Sequence, residues 1–289
     1  MGWQRMPRVT HPCVRFAGRF TLLSHSEFMP CRLAGWLAPA SLTFLMVSGS
    51  LPQTKPAESA PQFPGKEALS YDVEWRLIYA GSARLAMEPD GVPEKAGWQI
   101  RLHLESGGLV SKLYRLDDNY EAHMGDRFCA TSTELNAIER NRHHETKVDY
   151  DHARGKASYI ERDLLKNAVV KTAETDIPAC VSDIIGGLAK LRTMKLEPGQ
   201  NEQIPLSDGK KSVSARIEAQ ARETLKVKAG TFDTIRYEVY VFNNVLYARK
   251  GQLWVWLTDD ARRLPVQVRA RMSFPIGSIT LELEKEEHP

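Results

Sequence analysis

The stretch that decides the fold runs GQLWVWLTDDARRLPVQVRARMSFPIGSITLELE, from Gly251 to Glu284. Leu253, Val255 and Leu257 alternate with other residues, and the same two-residue period resumes after an Asp259-Asp260 turn and again after a second turn. Because side chains alternate between the two faces of a strand, this period predicts three antiparallel strands that share one aliphatic face.

The register between these strands depends on the turns that join them. If Thr258 pairs with Arg263 across the first turn, Trp254 lies opposite Gln267. Trp254 and Trp256 then both stand on the face opposite to the aliphatic one. That face is therefore unusual, since it carries two large aromatic side chains among polar neighbours.

Composition and charge are those of an ordinary soluble globular protein. The chain has 289 residues, of which 42% are hydrophobic, and a formal net charge of +3. This length suits one large β domain or two small ones. No run of five or more like charges predicts a nucleic-acid arm, so we expect no nucleic-acid partner.

The N-terminal residues have the features of an export signal. The first 27 residues are rich in Arg and poor in acids, and an uncharged stretch, LAGWLAPASLTFLMV, occupies 33–47. A membrane-spanning helix needs about 20 apolar residues, whereas this shorter run is typical of a signal peptide. We interpret 1–50 as a leader, with translation starting at either Met1 or Met29, and predict export to a Gram-negative-type periplasm without a transmembrane anchor.

A Pro-rich, polar segment at 51–67 follows the leader and predicts a flexible tether. A single β-rich domain is then predicted over 68–286. Within it only Cys129 and Cys180 remain once the leader is removed. Two cysteines in an exported domain form a disulfide more often than they remain free thiols, although the sequence alone does not give their separation.

The rest of the domain consists of short alternating runs separated by Gly-containing turns, which is typical of an antiparallel sheet. One segment differs: Ser182 can cap a helix that runs over about 182–194. Gly186 and Gly187 weaken an isolated helix, so we expect them to allow close packing against a strand. The predicted fold is mainly β, a strongly curved antiparallel sheet or incomplete barrel with one packed α-helix.

Several short motifs are spaced along the domain: Tyr71 with Ala80-Gly81, Asp183 and Arg192 bracketing the helix, Ala229-Gly230-Thr231-Phe232, Trp256-Leu257-Thr258-Asp259-Asp260, Arg263-Leu264-Pro265-Val266 and Gly277-Ser278-Ile279. Over about Leu69 to Leu283 the chain resembles the bacterial exported family called domain of unknown function 3108 (DUF3108). The resemblance implies a periplasmic, β-rich domain whose activity is not established. By analogy of fold it resembles curved sheets with a packed helix that carry lipoproteins or other amphiphiles, but fold analogy does not transfer function.

Candidate catalytic groups each have a structural alternative. His143 and His144 are adjacent on a predicted strand and point to opposite faces, so they cannot share a metal ion without a bulge. Asp259-Asp260 is a carboxylate pair at a position where Asp commonly forms turns. No nucleophile elbow, phosphate loop or metal-ligand set is present. We therefore expect no enzymatic activity, cofactor or metal.

Asp183 and Arg192 are expected to have structural roles at the two ends of the helix. A carboxylate in the first turn and a guanidinium in the last turn both suit the helix dipole. A salt bridge between one of them and the sheet is the alternative.

The candidate ligand-binding residues are aromatic. Trp254, Trp256, Tyr240, Phe242 and Arg269 could line a groove for an acyl chain or a sugar ring. The alternatives are that another element covers the tryptophans or that they stack under Arg269. The sequence thus predicts non-catalytic binding or carriage of an amphiphilic envelope molecule, a lipid or a glycan. A protein-interaction scaffold of the envelope is the second hypothesis and a hydrolase the third.

Overall fold

A computed structural model describes residues 65–90 and 97–287. The predictions about the leader, about translation from Met29 and about most of the tether lie outside these residues. The described residues belong to one compact unit, Lys55–Pro289. Within them, neither helix has the length and apolar character that crossing a membrane requires.

In the part of the chain that the structure describes, fourteen strands form one antiparallel sheet that is not closed into a barrel. The strands are β1 (Glu67–Trp75), β2 (Ile78–Pro89), β3 (Gly97–Ser106), β4 (Leu116–Gly125), β5 (Ala130–Glu139), β6 (Arg142–Asp151), β7 (Lys156–Asp163), β8 (Ala168–Asp176), β9 (Asn201–Ser207), β10 (Ser212–Val227), β11 (Gly230–Val239), β12 (Gly251–Thr258), β13 (Pro265–Met272) and β14 (Gly277–Glu287). The order across the sheet is β8-β7-β6-β5-β4-β3-β2-β1-β14-β13-β12-β11-β10-β9. The predicted fold class is confirmed.

The sheet curves so strongly that its two ends approach each other. Tyr150 on β6 donates a hydrogen bond to the carbonyl of Ser207 on β9, at 3.2 Å, although β9 is the edge strand at the far end of the sheet. A Cβ on Gly209, after β9, would lie 2.7 Å from Val148 on β6. Both contacts require the sheet to fold round and leave a concave interior between its two halves.

Two helices connect strands of this sheet. Helix α1 (Gly108–Leu113) lies between β3 and β4, and α2 (Ile184–Arg192) precedes β9. The sequence predicted only the second, with longer bounds of 182–194, because α1 is a short helix that begins in one of the Gly-containing connections between strands. Asp183 is the N-cap of α2, whereas Ser182 donates a hydrogen bond to the carbonyl of Phe128 at 2.7 Å.

Helix α2 packs inside the curve of the sheet. Leu191 belongs to an apolar core with β9, β10, β11 and β12, while Ala189 belongs to another core with β2, β3 and β4. The predicted close approach at the two glycines is confirmed, because a Cβ on Gly187 would lie 2.6 Å from Leu206 and one on Gly186 would lie 2.8 Å from Met124. The helix therefore joins the two halves of the curved sheet through their apolar interior.

Candidate functional site

The two tryptophans of β12 lie on the convex face, as their alternation predicted, but their surroundings differ from a ligand platform. Trp256 is only 4% exposed, and its indole N–H donates to Glu223 at 2.9 Å. The Arg269 guanidinium lies 5.5 Å from the centre of the Trp256 ring. Of the alternatives, stacking under Arg269 is the one that the structure shows for Trp256, while Trp254 is partly exposed beside it.

The other two aromatic candidates are not joined to this pair. Tyr240 follows the end of β11 and packs against the Arg216 guanidinium at 5.2 Å, and Phe242 contacts Tyr247 with ring centres 5.9 Å apart. Tyr240 and Phe242 line a surface depression of about 680 Å³ that neither tryptophan lines. The five candidates therefore do not form one groove, and ligand binding by them stays a prediction.

The residues of the motifs that carry the family resemblance form contacts that stabilise the fold. Asp260 Oδ1 accepts hydrogen bonds from the Thr258 hydroxyl at 2.6 Å and from the Arg262 and Arg263 N–H groups at 3.0 Å. Although burial acts to raise the pKa of Asp260, these hydrogen bonds lower it overall. Asp259 pairs with Arg222 at 2.7 Å. The two carboxylates thus hold a turn, which was the structural alternative to acid-base chemistry.

The glycine and proline positions of the motifs lie at bends and close approaches. Gly81 follows a bulge in β2, has a φ of +152° and leaves no room for a Cβ, which would lie 1.9 Å from the Glu105 carbonyl oxygen. Gly230 and Gly277 begin β11 and β14 with φ values of +144° and +77°. Pro265 begins β13, and its carbonyl accepts a hydrogen bond from the Tyr71 hydroxyl at 2.9 Å.

The N-terminus of α2 is fixed to the concave face of the sheet by Asp183. Its carboxylate accepts hydrogen bonds from the N–H groups of Ile185 at 2.9 Å and Gly186 at 3.1 Å, and from the Tyr120 hydroxyl at 2.7 Å. Burial raises the pKa of Asp183, and these hydrogen bonds oppose that rise. The N-cap therefore also positions the first turn of the helix against β4.

The predicted disulfide between Cys129 and Cys180 is formed. It lies where the segment that precedes α2 crosses the sheet. Val181 accepts a backbone hydrogen bond from Ala130 at 2.8 Å, and Ser182 donates one to Pro205 at 3.0 Å. The segment thus bridges the start of β5 and the edge strand β9, and the disulfide fixes it there.

A cavity of about 330 Å³ lies on the concave side, between the first turn of α2 and the inner faces of β3 to β7. Its apolar wall consists of side chains from three strands and the helix: Leu102, Leu104, Leu135, Val148, Ile184 and Ile185. The leucines and isoleucines of this wall are partly exposed rather than buried. Partly exposed aliphatic side chains on a concave surface are what an apolar ligand covers when it binds.

Four tyrosines contribute polar groups to the cavity. Tyr120, Tyr150, Tyr159 and Tyr247 all line it. Burial raises the pKa of Tyr159 and of Tyr247 to about 12 each. These phenols are therefore neutral at physiological pH, so their rings extend the apolar wall while their hydroxyls serve as hydrogen-bond groups.

Asp118 is the acid within this wall. It lies on β4 in the same inward phase as Tyr120, and its Oδ1 is buried with no hydrogen-bond partner among the described residues. Burial, together with the negative charge of Glu139, raises the pKa of Asp118 to about 6, while a backbone hydrogen bond from Ile138 acts against the rise. A buried acceptor without a partner is costly, so a ligand that donates a hydrogen bond there gains affinity.

Basic and acidic groups lie at the opposite side of the cavity, in the β9–β10 turn. Lys210 places its ammonium 4.7 Å from the centre of the Tyr159 ring, and it lies 3.9 Å from the carboxylate of Asp208. Both residues line the cavity. The cavity thus combines an apolar interior with ionisable groups on two sides, which suits an amphiphilic ligand.

Other candidate catalytic groups lie apart from one another. His143 contacts Asn136 at 2.9 Å and His144 contacts Glu161 at 3.0 Å. Within the described ranges, no group of three or more His, Cys, Asp or Glu residues is placed to hold a metal ion. The histidine pair is therefore part of two separate cross-strand contacts on β6.

Sequence reasoning missed the cavity because its lining is assembled from six strands and a helix that are far apart in the chain. One signal was present: Asp118 has the same two-residue phase as Tyr120, Ala122 and Met124, the inward residues of its strand. A carboxylate at an inward position of a β-strand is uncommon enough to indicate a functional group.

The chain is similar to one protein family and, at low identity, to solved structures. No curated protein matches the chain. A β-barrel-like protein of domain of unknown function 1849 from Brucella abortus has 9% identity and a TM-score of 0.48, over 77% of this chain and 97% of that one. A predicted exported protein with a YmcC-like fold from Bacteroides fragilis has 9% identity and a TM-score of 0.31, over 79% and 98%. The family model described as "Protein of unknown function (DUF3108)" matches residues 70–284, and the chain therefore belongs to the DUF3108 family.

Proposed function

We propose that this protein is an exported, non-catalytic binding protein that holds the apolar part of an amphiphilic envelope molecule in its concave cavity. The observation that carries the proposal is the wall of partly exposed aliphatic side chains between α2 and β3 to β7, with Asp118 on one side and Lys210 on the other. We propose a lipid rather than a glycan, because the six aliphatic side chains of this wall cannot form hydrogen bonds with sugar hydroxyls.

The size of the cavity limits the ligand. Small-molecule sites have volumes of about 300–1,000 Å³, and this cavity, at about 330 Å³, is at the lower end of that range. It therefore suits one acyl chain or a similar small apolar group, with the polar head at the ionisable groups. A multi-chain lipid would have to keep most of its chains outside.

Export is proposed from two independent features. The sequence at 1–50 has the composition of a signal peptide, and the domain contains a disulfide, Cys129–Cys180. Disulfides form and persist in oxidising compartments such as the bacterial periplasm. Together they support a periplasmic location.

A binding role without catalysis is proposed from the chemistry of the cavity. The Asp118 carboxyl is the candidate base there, but no described hydroxyl or thiol forms a hydrogen bond with its buried oxygen. Nucleophilic catalysis needs a nucleophile within hydrogen-bond reach of its base. This supports our proposal that Asp118 receives a hydrogen bond from a ligand head group and does not activate a residue of this chain.

The test uses the mature protein, purified from envelope extracts in mild detergent. Native mass spectrometry should show a bound species, and N-phenyl-1-naphthylamine, a neutral apolar probe, should bind with saturable fluorescence. Leu135→Trp fills the cavity from its wall and should weaken probe binding by about tenfold or more, which corresponds to 1.4 kcal/mol. A lysophospholipid should displace the probe and an oligosaccharide should not.

Trp254→Ala is the matched control, because it removes a large aromatic group from the convex face and leaves the cavity lining unchanged. It should bind the probe like the wild type. Loss of binding in Trp254→Ala with retention in Leu135→Trp would move the site to the convex face. Absence of both a bound species and probe binding in the wild type would contradict the proposal and favour the scaffold hypothesis.

A further inference from the structure

The antiparallel order of the strands places every second connection at the same end of the sheet. The connections at this end are 76–77, 107–115, 140–141, 164–167, 208–211, 240–250 and 273–276. We call these seven segments the tip surface. Helix α2 and the Cys129–Cys180 disulfide lie in connections at the opposite end.

All the large hydrophobic side chains that the described residues expose lie on the tip surface or in the first three residues of a strand that leaves it. They are Leu77, Ile78, Tyr79, Leu109, Leu113, Tyr114, Leu164, Leu165, Val169, Val170 and Phe274. Leu77 and Phe274 are 88% and 87% exposed, and Leu113 is 74% exposed. Exposed apolar groups gathered at one end of a soluble domain indicate an interaction site.

Neighbouring segments of the tip surface contact one another. The Nε–H group of Arg76 donates a hydrogen bond to the Ile276 carbonyl at 3.2 Å, which joins the first segment to the last. Gly107 donates its N–H to the Ala80 carbonyl at 2.7 Å, beside the first segment. Arg140 donates its backbone N–H to the Arg115 carbonyl at 2.7 Å, which joins α1 and its flanks to the β5–β6 turn. The apolar side chains are thus carried by adjacent turns.

The charge of the tip surface is strongly one-sided. Its basic residues are all exposed: Arg76, Lys112, Arg115, Arg140, Lys166, Lys210, Lys211, Arg249 and Lys250. Asp208 is its only acid. The described connections at the opposite end carry both signs, for example Asp126, Arg127, Asp259 and Arg262. Because the net charge of the whole chain is only +3, the basic character arises from how the fold distributes the charges.

We infer that the tip surface docks on the surface of an anionic phospholipid leaflet. Membrane surfaces bind proteins that combine exposed apolar side chains, which enter the interfacial region, with Lys and Arg, which attract anionic head groups. The tip surface combines both on the same turns, Leu113 with Lys112 in α1 and Leu165 with Lys166 in the β7–β8 turn. This charge complementarity favours a lipid surface over a protein partner of mixed charge.

The position of the cavity is compatible with this orientation. Lys210 and Tyr247, which line it, belong to two segments of the tip surface. The inference goes beyond the proposed binding function and does not depend on it, because a protein with an empty cavity could dock equally well.

The test is flotation of the mature protein with vesicles of phosphatidylcholine, alone or mixed with phosphatidylglycerol. The wild type should float with the mixed vesicles and much less with phosphatidylcholine alone, and rising NaCl should release it. Leu113→Ser/Phe274→Ser should reduce the bound fraction severalfold at constant charge. Arg115→Glu/Arg249→Glu should reduce it further on the mixed vesicles.

Arg127→Glu/Arg154→Glu is the matched control, because it makes the same change of charge on exposed residues of the opposite end. It should float like the wild type. If both charge-reversal variants lost vesicle binding equally, the protein would be attracted by its overall charge and not by a docking surface, and the inference would be overturned. A wild type that floats with neither kind of vesicle would also overturn it. The cavity variant Leu135→Trp should float normally, so failure of ligand binding and failure of docking are distinguishable.

Discussion

Arg192 and Glu67 form a fully buried ion pair that joins the end of α2 to the start of β1. Their side chains are 2% and 4% exposed, and two N–H···O contacts link them, at 2.5 and 2.9 Å. Arg192 also donates to the carbonyl of Arg263 at 3.0 Å, in the turn before β13. One guanidinium thus connects the helix, β1 and the β12–β13 turn, which is the sheet salt bridge that the sequence left as an alternative.

Removing one partner of this pair should destabilise the domain strongly. Arg192→Met leaves the Glu67 carboxylate buried without its cation, and we expect a loss of about 3–5 kcal/mol in the free energy of unfolding. The double variant Arg192→Met/Glu67→Leu should recover much of the loss, since it leaves no unpaired charge. Urea denaturation measures both. Equal destabilisation in the single and double variants would indicate that packing rather than charge dominates.

The Cys129–Cys180 disulfide should contribute to stability and to the cavity together. It closes a loop with a sequence separation of 51 residues, for which the chain-entropy model gives about 4 kcal/mol. Cys129→Ser/Cys180→Ser should lower the unfolding free energy by up to that amount. It should also weaken N-phenyl-1-naphthylamine binding under conditions where the variant is still folded, because Ile184 and Ile185 follow the bridged segment. Unchanged binding would show that α2 holds its position without the bridge.

The faces of β12, β13 and β14 could be predicted from the sequence, whereas their register could not. Alternation places Val255 inward and Trp254 outward, and both assignments are confirmed. Trp254 pairs with Arg269, however, rather than with Gln267. A register depends on turn length and on bulges, and β12 and β13 have a bulge after Trp256. The error is two residues, which preserves the face of every side chain.

The concave site could not be predicted, because it depends on which strands meet after the sheet curves. Sequence periodicity predicts separately that Leu102, Asp118 and Leu135 point inward, but no local pattern predicts that α2 leaves a space between them.

The tip surface could not be predicted from the sequence either, for the same reason. Its basic residues are spread over six of the seven connections, so no charged run exists in the sequence, and only the antiparallel topology brings them to one end.

The two faces of β12 should respond differently to substitution. Val255 is 4% exposed within the core that includes Leu191 and Ile217, so Val255→Asp places a charge in an apolar interior and should unfold the domain. Trp256→Ala should cost about 3 kcal/mol, because it removes a buried ring, whereas Trp254→Ala should cost less. Far-UV circular dichroism and thermal melts measure these effects. A folded Val255→Asp protein would contradict the placement of that core.

Asp118 should make stability depend on pH in a predictable direction. Its pKa is raised from 3.8 to about 6, so between these values the folded state binds more protons than the unfolded state. The contribution of this group to the free energy of unfolding is therefore largest below pH 4 and decreases as the pH rises to about 6. Asp118→Asn should be more stable than the wild type at pH 7, by less than about 1 kcal/mol, since the group is partly exposed and solvent screens it.

The same substitution also tests the polarity of the site. The advantage of Asp118→Asn should disappear below pH 4, where the wild-type carboxyl is neutral in both states. The neighbouring groups that influence this titration, Glu139, Asp117 and His103, are retained in the variant. Urea denaturation at pH 4 and pH 7 gives the difference directly. A larger advantage at pH 4 than at pH 7 would contradict the raised pKa and would mean that a cation or a hydrogen-bond donor compensates the buried oxygen of Asp118.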